Sequence, residues 1–463
     1  MSFVSTEFVA FLAVALGTFF LLPDRWRNIW LLVCSCWFYA HWSVRYLFLL
    51  LGTMTLDYFA ALLLERAQAP RTRKLVLWMS VATNLGVLFT FKYFNLFSEL
   101  VANVAGARPL SLELILPFGI SFYTFHAMSY TIDVYRGVIR AQRNFVHYAC
   151  FVLFFPQLVA GPIARARHLL GQFALPKRLT FENICDGSCL VARGYVQKML
   201  LADHLAPVVD AYFGDEVAKT PFLVVQAVYF FAFQIYFDFS GYSDIARGVA
   251  RWFDYDLTIN FNRPYIAASV TEFWRRWHIS LSTWLRDYLY ISLGGNRHGA
   301  WRTYRNLLIT MLLGGLWHGG AWTFLLWGGY HGVLLCGERL LGINGGVVAG
   351  AARPWWRVLI TFHLVLISWV FFRADSFAQA TEILEYCAFF LAEPEISVGA
   401  VQGSLWLGIA AFLSFEALEE RWGLLQRYAR WGWGWKLATQ LLLLTTVVIF
   451  KQDNPKAFIY FQF

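Results

Sequence analysis

Apolar residues run along this chain in long tracts, separated by short clusters of Arg, Pro and Gly. The first tract, residues 5–22, ends at Pro23-Asp24-Arg25. The next runs from Ile29 to Leu64, 36 residues. As one helix it would measure roughly 54 Å, too long for a hydrocarbon core of about 30 Å. It is therefore predicted to break into two spans near His41-Trp42-Ser43. Another span covers about Leu75 to Leu100, with Lys92 among aromatic residues. The segment from Leu116 to Tyr123 opens on a proline and reads as a re-entrant or helix-start element, because non-helical backbone at membrane depth needs protein or water around it. Phe151 to Val159 is too short to span and ends at Gly161-Pro162. Long helices are predicted at about 181–213 and 220–250. Spans follow near 303–317, 321–340, 355–372, 400–418 and 434–451, with a short amphipathic helix over 376–391. The pattern predicts an all-α polytopic membrane protein of about ten to twelve transmembrane helices, with re-entrant and interfacial helices, forming a single domain over residues 1–463. No internal repeat is visible, which counts against two-fold transporter designs.

Composition sharpens the class. Hydrophobic residues make up 59% of the chain and charged residues only 14%, against about 25% charged in soluble domains. The 19% aromatic content suits interfacial belts and a lined cavity. A net charge of +9 follows from basic cytoplasmic loops and calls for no nucleic acid. The break at residues 41–43 puts Arg25 and Arg27 on the same side as Arg66, Arg71, Arg73 and Lys74. That side is predicted cytoplasmic, with the N-terminus outside. The seven cysteines form no disulfide or metal-binding spacing and read as small buried hydrophobes. No Lys or Arg precedes Arg25 and no small-residue cleavage site is evident, so the first tract is expected to be a retained span.

Chemistry concentrates in three places. In Leu312-Leu313-Gly314-Gly315-Leu316-Trp317-His318-Gly319-Gly320-Ala321-Trp322, one histidine sits in an apolar, glycine-rich stretch. A titratable group there is expensive unless it has partners or a task. The glycines let another backbone or a substrate approach the ring, although a histidine that merely ties two helices together would look the same. Residues 251–305 carry eight arginines against four acidic residues. Within them, Phe273, Trp277, Leu281, Trp284 and Tyr288 form one stripe of an amphipathic helix over 271–288, with Glu272 placed to pair with Arg276. His278 lies beside that stripe. Finally, Asp238 and Asp244 end a long apolar helix and are expected to face the interior in structural hydrogen bonds.

Five motifs together carry a resemblance. They are Leu116-Pro-Phe-Gly-Ile-Ser-Phe-Tyr-Thr-Phe with Ser129-Tyr-Thr-Ile-Asp-Val-Tyr-Arg-Gly, then Phe155-Pro-Gln-Leu-Val-Ala-Gly-Pro-Ile, then Asp238-Phe-Ser-Gly-Tyr-Ser-Asp, then Phe273-Trp-Arg-Arg-Trp-His-Ile-Ser-Leu-Ser-Thr-Trp, and Leu316-Trp-His-Gly-Gly. In this order they resemble the membrane-bound O-acyltransferase family, and within it the bacterial branch that acetylates alginate and other exported polysaccharides. The likeness extends to the C-terminal Phe458-Ile-Tyr-Phe-Gln-Phe. His318 matches the family's intramembrane histidine and His278 its second signature histidine.

The resemblance implies acyl transfer from a thioester to a hydroxyl through a central tunnel. It implies a bacterial inner-membrane location, no bound cofactor, and acetyl-CoA as donor substrate. The acceptor would be an exported polysaccharide, or a periplasmic SGNH-like partner that relays the acetyl group. A hydroxyl is a poor nucleophile at neutral pH, so a base is required, and neutral imidazole suits it. His318 is expected to take the acceptor proton. His278 is expected to orient it or the thioester, or to help stabilise the oxyanion. Trp274, Arg275, Arg276, Trp277 and Arg286 are the candidate acyl-donor region, their arginines attracting donor phosphates. Membrane lipids are the competing partners of those arginines. Two other functions fit parts of the pattern: a D-alanyl transferase of the same family working with a carrier protein, and a transporter using buried Asp and Lys as ion sites.

Overall fold

Charge, proline and glycine cut the apolar tracts where helices end. In the computed structural model, which describes residues 1–158, 161–214, 217–343, 354–392, 400–452 and 456–461, Thr6–Leu21 stops before Pro23, and Asp24–Ala40 begins directly after it. Val159, Ala160, Gln462 and Phe463 of the motifs above lie outside the described residues. The 36-residue tract does break at His41-Trp42-Ser43, where Ser43 caps Val44–Arg66 by accepting from the backbone N–H of Tyr46. Pro70–Leu88 continues through a π-turn at Phe89–Tyr93, which holds Lys92, into Phe94–Ala105. The Leu116–Tyr123 segment is a helix start: Gly119, in the left-handed region at φ 69°, turns the chain into Ile120–Tyr135. The 181–213 helix is continuous but bulged, with a π-turn at Val196–Ala202 between Phe181–Tyr195 and Asp203–Phe213. Every regular element among the described residues is helical.

Among the described residues, five helices are long and apolar enough to cross a membrane: Val44–Arg66, Pro70–Ala105, Pro221–Trp252, Trp355–Arg373 and Trp433–Phe450. Other elements marked by the hydrophobic pattern fall short of that measure. Thr6–Leu21 has only 16 residues, and Ala300–His318 carries Arg302 and Arg305. The all-α polytopic class holds.

The chain divides into two compact units. One comprises Met1–Val191 with Ile245–Thr258, the other Ala192–Asp244 with Ile259–Phe463. In the first, a buried carboxylate ties two spans together. Asp57 accepts from the Ser80 hydroxyl and, at 2.8 Å, from the Asn84 amide. Satisfying a polar group across a helix pair is what makes it tolerable in such a core.

In the second unit, Ala300–His318 and Trp322–Leu340 form a tight antiparallel hairpin. Glycine is required at its contact. A Cβ on Gly315 would lie 2.2 Å from the Phe324 carbonyl oxygen, and one on Gly328 would lie 2.2 Å from that of Met311. The two backbones touch because neither position carries a side chain. This contact fixes the turn in which His318 sits.

Candidate active site

His318 is the last residue of its helix, and Gly319 leaves it in extended conformation. Its side chain is buried, enclosed by Trp317 at 4.9 Å, Trp327 at 5.0 Å, Phe372 at 5.3 Å and Tyr460 at 5.5 Å between ring centroids. The His278 ring lies 6.4 Å away. Two histidines 40 positions apart in sequence thus share one aromatic chamber.

The expected continuous helix over 271–288 is not formed. Val270–Arg276 ends at Trp277, Ile279–Trp284 starts anew, and a π-turn covers Leu285–Tyr290. The break is His278 itself, at φ 41° and ψ 52°. A left-handed non-glycine residue costs on the order of 1–3 kcal/mol and persists only where its surroundings impose it. Asn260 imposes it here. Its carbonyl accepts from the N–H of Ile279 at 2.8 Å, and its side-chain oxygen accepts from the Ser280 hydroxyl at 2.8 Å. The same oxygen lies 3.1 Å from His278 Nδ1, while the Asn260 amide donates to Ser243 at 3.1 Å. With the oxygen thus assigned as acceptor, His278 carries its proton on Nδ1 and presents Nε2 as a lone pair. That tautomer is suited to accept a proton or orient a donor; it stabilises an oxyanion only once protonated.

The candidate donor residues separate. Trp274, Arg275 and Arg286 line a cavity of about 840 Å³, together with Arg339, Leu335 and Thr310. This is the size range of small-molecule sites. Arg276 and Trp277, grouped with them in the sequence, do not line this cavity. Arg276 pairs with Glu272 at 2.9 Å and Glu420 at 3.1 Å. Trp277 is fully buried against Phe261 and Trp369. The cause is local: Arg276 is held by Glu272, one helical turn back, and by Glu420, while Trp277 is drawn into the aromatic core. The expected Glu272–Arg276 pair does form.

The C-terminal segment supplies part of the chamber. Lys198, in the π-turn, meets Asp203 at 2.8 Å and Asp238 at 2.6 Å, and donates to the Lys456 carbonyl at 3.0 Å. Asp238 also accepts from the N–H of Ile459 at 2.6 Å. The tail so held packs Phe458 on Tyr242 and Tyr460 on Phe239, and Phe239 in turn packs edge-on to His278. The buried Tyr460 hydroxyl has no hydrogen-bond partner among the described residues. Asp244, bound by Arg193 at 2.7 Å and Gln197 at 3.2 Å, also has the structural role its position implied. Sequence reasoning missed Asn260, Lys198 and Trp327, and named Tyr460 only within a motif; no local pattern marks a residue whose partner lies far along the chain. Among the described residues, no group of three His, Cys, Asp or Glu side chains is placed to hold a metal ion.

The described fold is an all-helical membrane protein with two histidines buried side by side, and its class is given by sequence relatives. Residues 35–344 match the membrane-bound O-acyltransferase family, and this chain belongs to that family. It is 44% identical to a probable alginate O-acetylase of Pseudomonas aeruginosa, over 83% of this chain and 74% of that protein. It is 35% identical to a peptidoglycan O-acetyltransferase of Helicobacter pylori, over 81% of this chain and 77% of the relative. A teichoic acid D-alanyltransferase of Streptococcus thermophilus shares 29% identity over 55% of this chain and 67% of its own length. The chain is an acyltransferase.

Proposed function

We propose that this chain is an O-acetyltransferase of the bacterial inner membrane, taking acetyl from cytosolic acetyl-CoA and passing it outward. The acceptor is a hydroxyl of an alginate-like exported polysaccharide, or of a periplasmic SGNH-like partner that relays the group. The observation that carries this reading is the chamber itself: His318 and His278 at 6.4 Å, with an arginine-lined cavity in the same unit. The Pseudomonas relative at 44% identity supports the polymer class over the D-alanyl alternative at 29%.

In this reading His318 accepts the acceptor hydroxyl's proton as that oxygen attacks the thioester carbonyl. The tetrahedral intermediate collapses, the C–S bond breaks, and the thiolate leaves with the proton returned from His318. His278, fixed by Asn260, orients His318 or the incoming groups. Arg275 and Arg286 attract the donor's phosphates, and Trp274 forms the wall beside them. The test is direct: purified chain in liposomes with labelled acetyl-CoA on one side and polymer on the other. Acetylation only when the periplasmic partner is added supports the relay. Efficient acetylation of polymer alone rejects the relay, and absence of any thioester turnover rejects the donor.

A further inference from the structure

The Trp322–Leu340 helix carries four side chains in one line: Trp327, His331, Leu335 and Arg339, each four positions on. Trp327 packs on His318, whereas Leu335 and the exposed Arg339 line the cavity. From Trp327 to Arg339 the helix rises about 18 Å. His331 and Trp274 stand between the two ends, and with Trp327 they form a three-ring cluster. Centroids are 5.1 Å apart for Trp274 and His331, 5.0 Å for Trp327 and His331, and 5.7 Å for Trp274 and Trp327.

The polar atoms of this cluster are unusual. Ser368 donates its hydroxyl proton to the Val365 carbonyl at 2.6 Å, so it accepts from His331 Nε2 at 3.0 Å. His331 Nδ1 is then a lone pair. It is buried with no hydrogen-bond partner among the described residues, and so are the indole N–H groups of Trp274 and Trp327. Leaving one such group unsatisfied is costly, and buried polar groups are ordinarily paired. Two donors and one acceptor gathered in one aromatic cluster match a ligand that offers carbonyl oxygens and an N–H.

We propose that Trp274, Trp327 and His331 recognise the amide groups of an extended, phosphate-headed thioester arm, laid along this helix with its phosphates at Arg339 and its thioester at His318. The inference rests on the acetyl-CoA reading and extends it: the three residues select for the arm and set its depth. They are positioning residues, since they act on the arm and not on the reacting carbonyl.

The experiment compares three acetyl donors on the full-length enzyme with its acceptor present: acetyl-CoA, S-acetyl-N-acetylcysteamine with one amide, and S-ethyl thioacetate with none. Released thiol is the readout. Trp274→Phe and Trp327→Phe remove an N–H while keeping a ring. His331→Phe removes the Nδ1 acceptor, together with the donor to Ser368, while keeping a ring. Each variant is expected to lower the ratio of kcat/KM between acetyl-CoA and S-ethyl thioacetate by about tenfold, the equivalent of one hydrogen bond. Proportional losses on all three donors, or no loss, would overturn the inference while leaving acetyl-CoA as donor. Failure of the unsubstituted enzyme to release thiol from any donor would overturn the donor reading and this inference with it.

Discussion

His278 Nδ1 and the side-chain oxygen of Asn260 lie 3.1 Å apart, and that bond fixes the tautomer of the histidine, while Ile279 N–H and the Ser280 hydroxyl, bound to the same asparagine, hold its left-handed backbone. Replacing Asn260 with Ala frees the ring and removes the side-chain acceptor of Ser280, leaving only the backbone bond from Ile279 N–H to hold the strained turn. Partners of this kind typically contribute about 10–100-fold at metal-bound histidines, and a similar loss in kcat is expected here. Steady-state kinetics on a variant with normal membrane insertion checks it; unchanged kcat would mean that His278 needs no fixed tautomer.

His318 is enclosed by Trp317, Trp327 and Phe372, none of which can serve as a base, and His278 is held by Asn260. His318→Ala is expected to reduce acetyl transfer by at least about 10²–10⁴-fold, the usual contribution of a general base. The protein should remain inserted and monodisperse. Activity close to that of the parent in a direct transfer assay would reject the assignment, and failure to insert would favour a structural role.

Lys198 neutralises Asp203 and Asp238 and also holds the tail through the Lys456 carbonyl. Lys198→Met strands two buried carboxylates, and breaking such a group costs about 3–5 kcal/mol. The expected result is a lower unfolding midpoint together with earlier protease cleavage near residue 456. If the midpoint falls but the tail stays protected, Asp238 alone is sufficient to hold the Ile459 N–H.

Topology follows from the distribution of basic residues. A cysteine placed at Arg71 should resist a membrane-impermeant thiol reagent in intact cells, and one placed at Ser2 should react. Ready labelling at position 71 would invert the arrangement.

The sequence by itself determined the class and where the long apolar tracts break, and it singled out the two histidines. Hydrocarbon thickness limits helix length, so the 36-residue tract had to break, and it breaks at His41-Trp42-Ser43 as its polar residues required. The cost of a titratable group in an apolar stretch marked His318 in the same local way. Periodicity failed at 271–288, because a stripe of apolar positions does not record a strained residue. His278 leaves the helix only because Asn260, 18 positions earlier, binds the backbone and side chains around it. The chamber's remaining walls also required tertiary structure. Tyr460 reaches His318 through a salt-bridge cluster whose members span residues 198 to 456, and Trp327 does so through a glycine contact between two helices. Local patterns report what one segment costs to bury; which distant segment satisfies it is decided by packing.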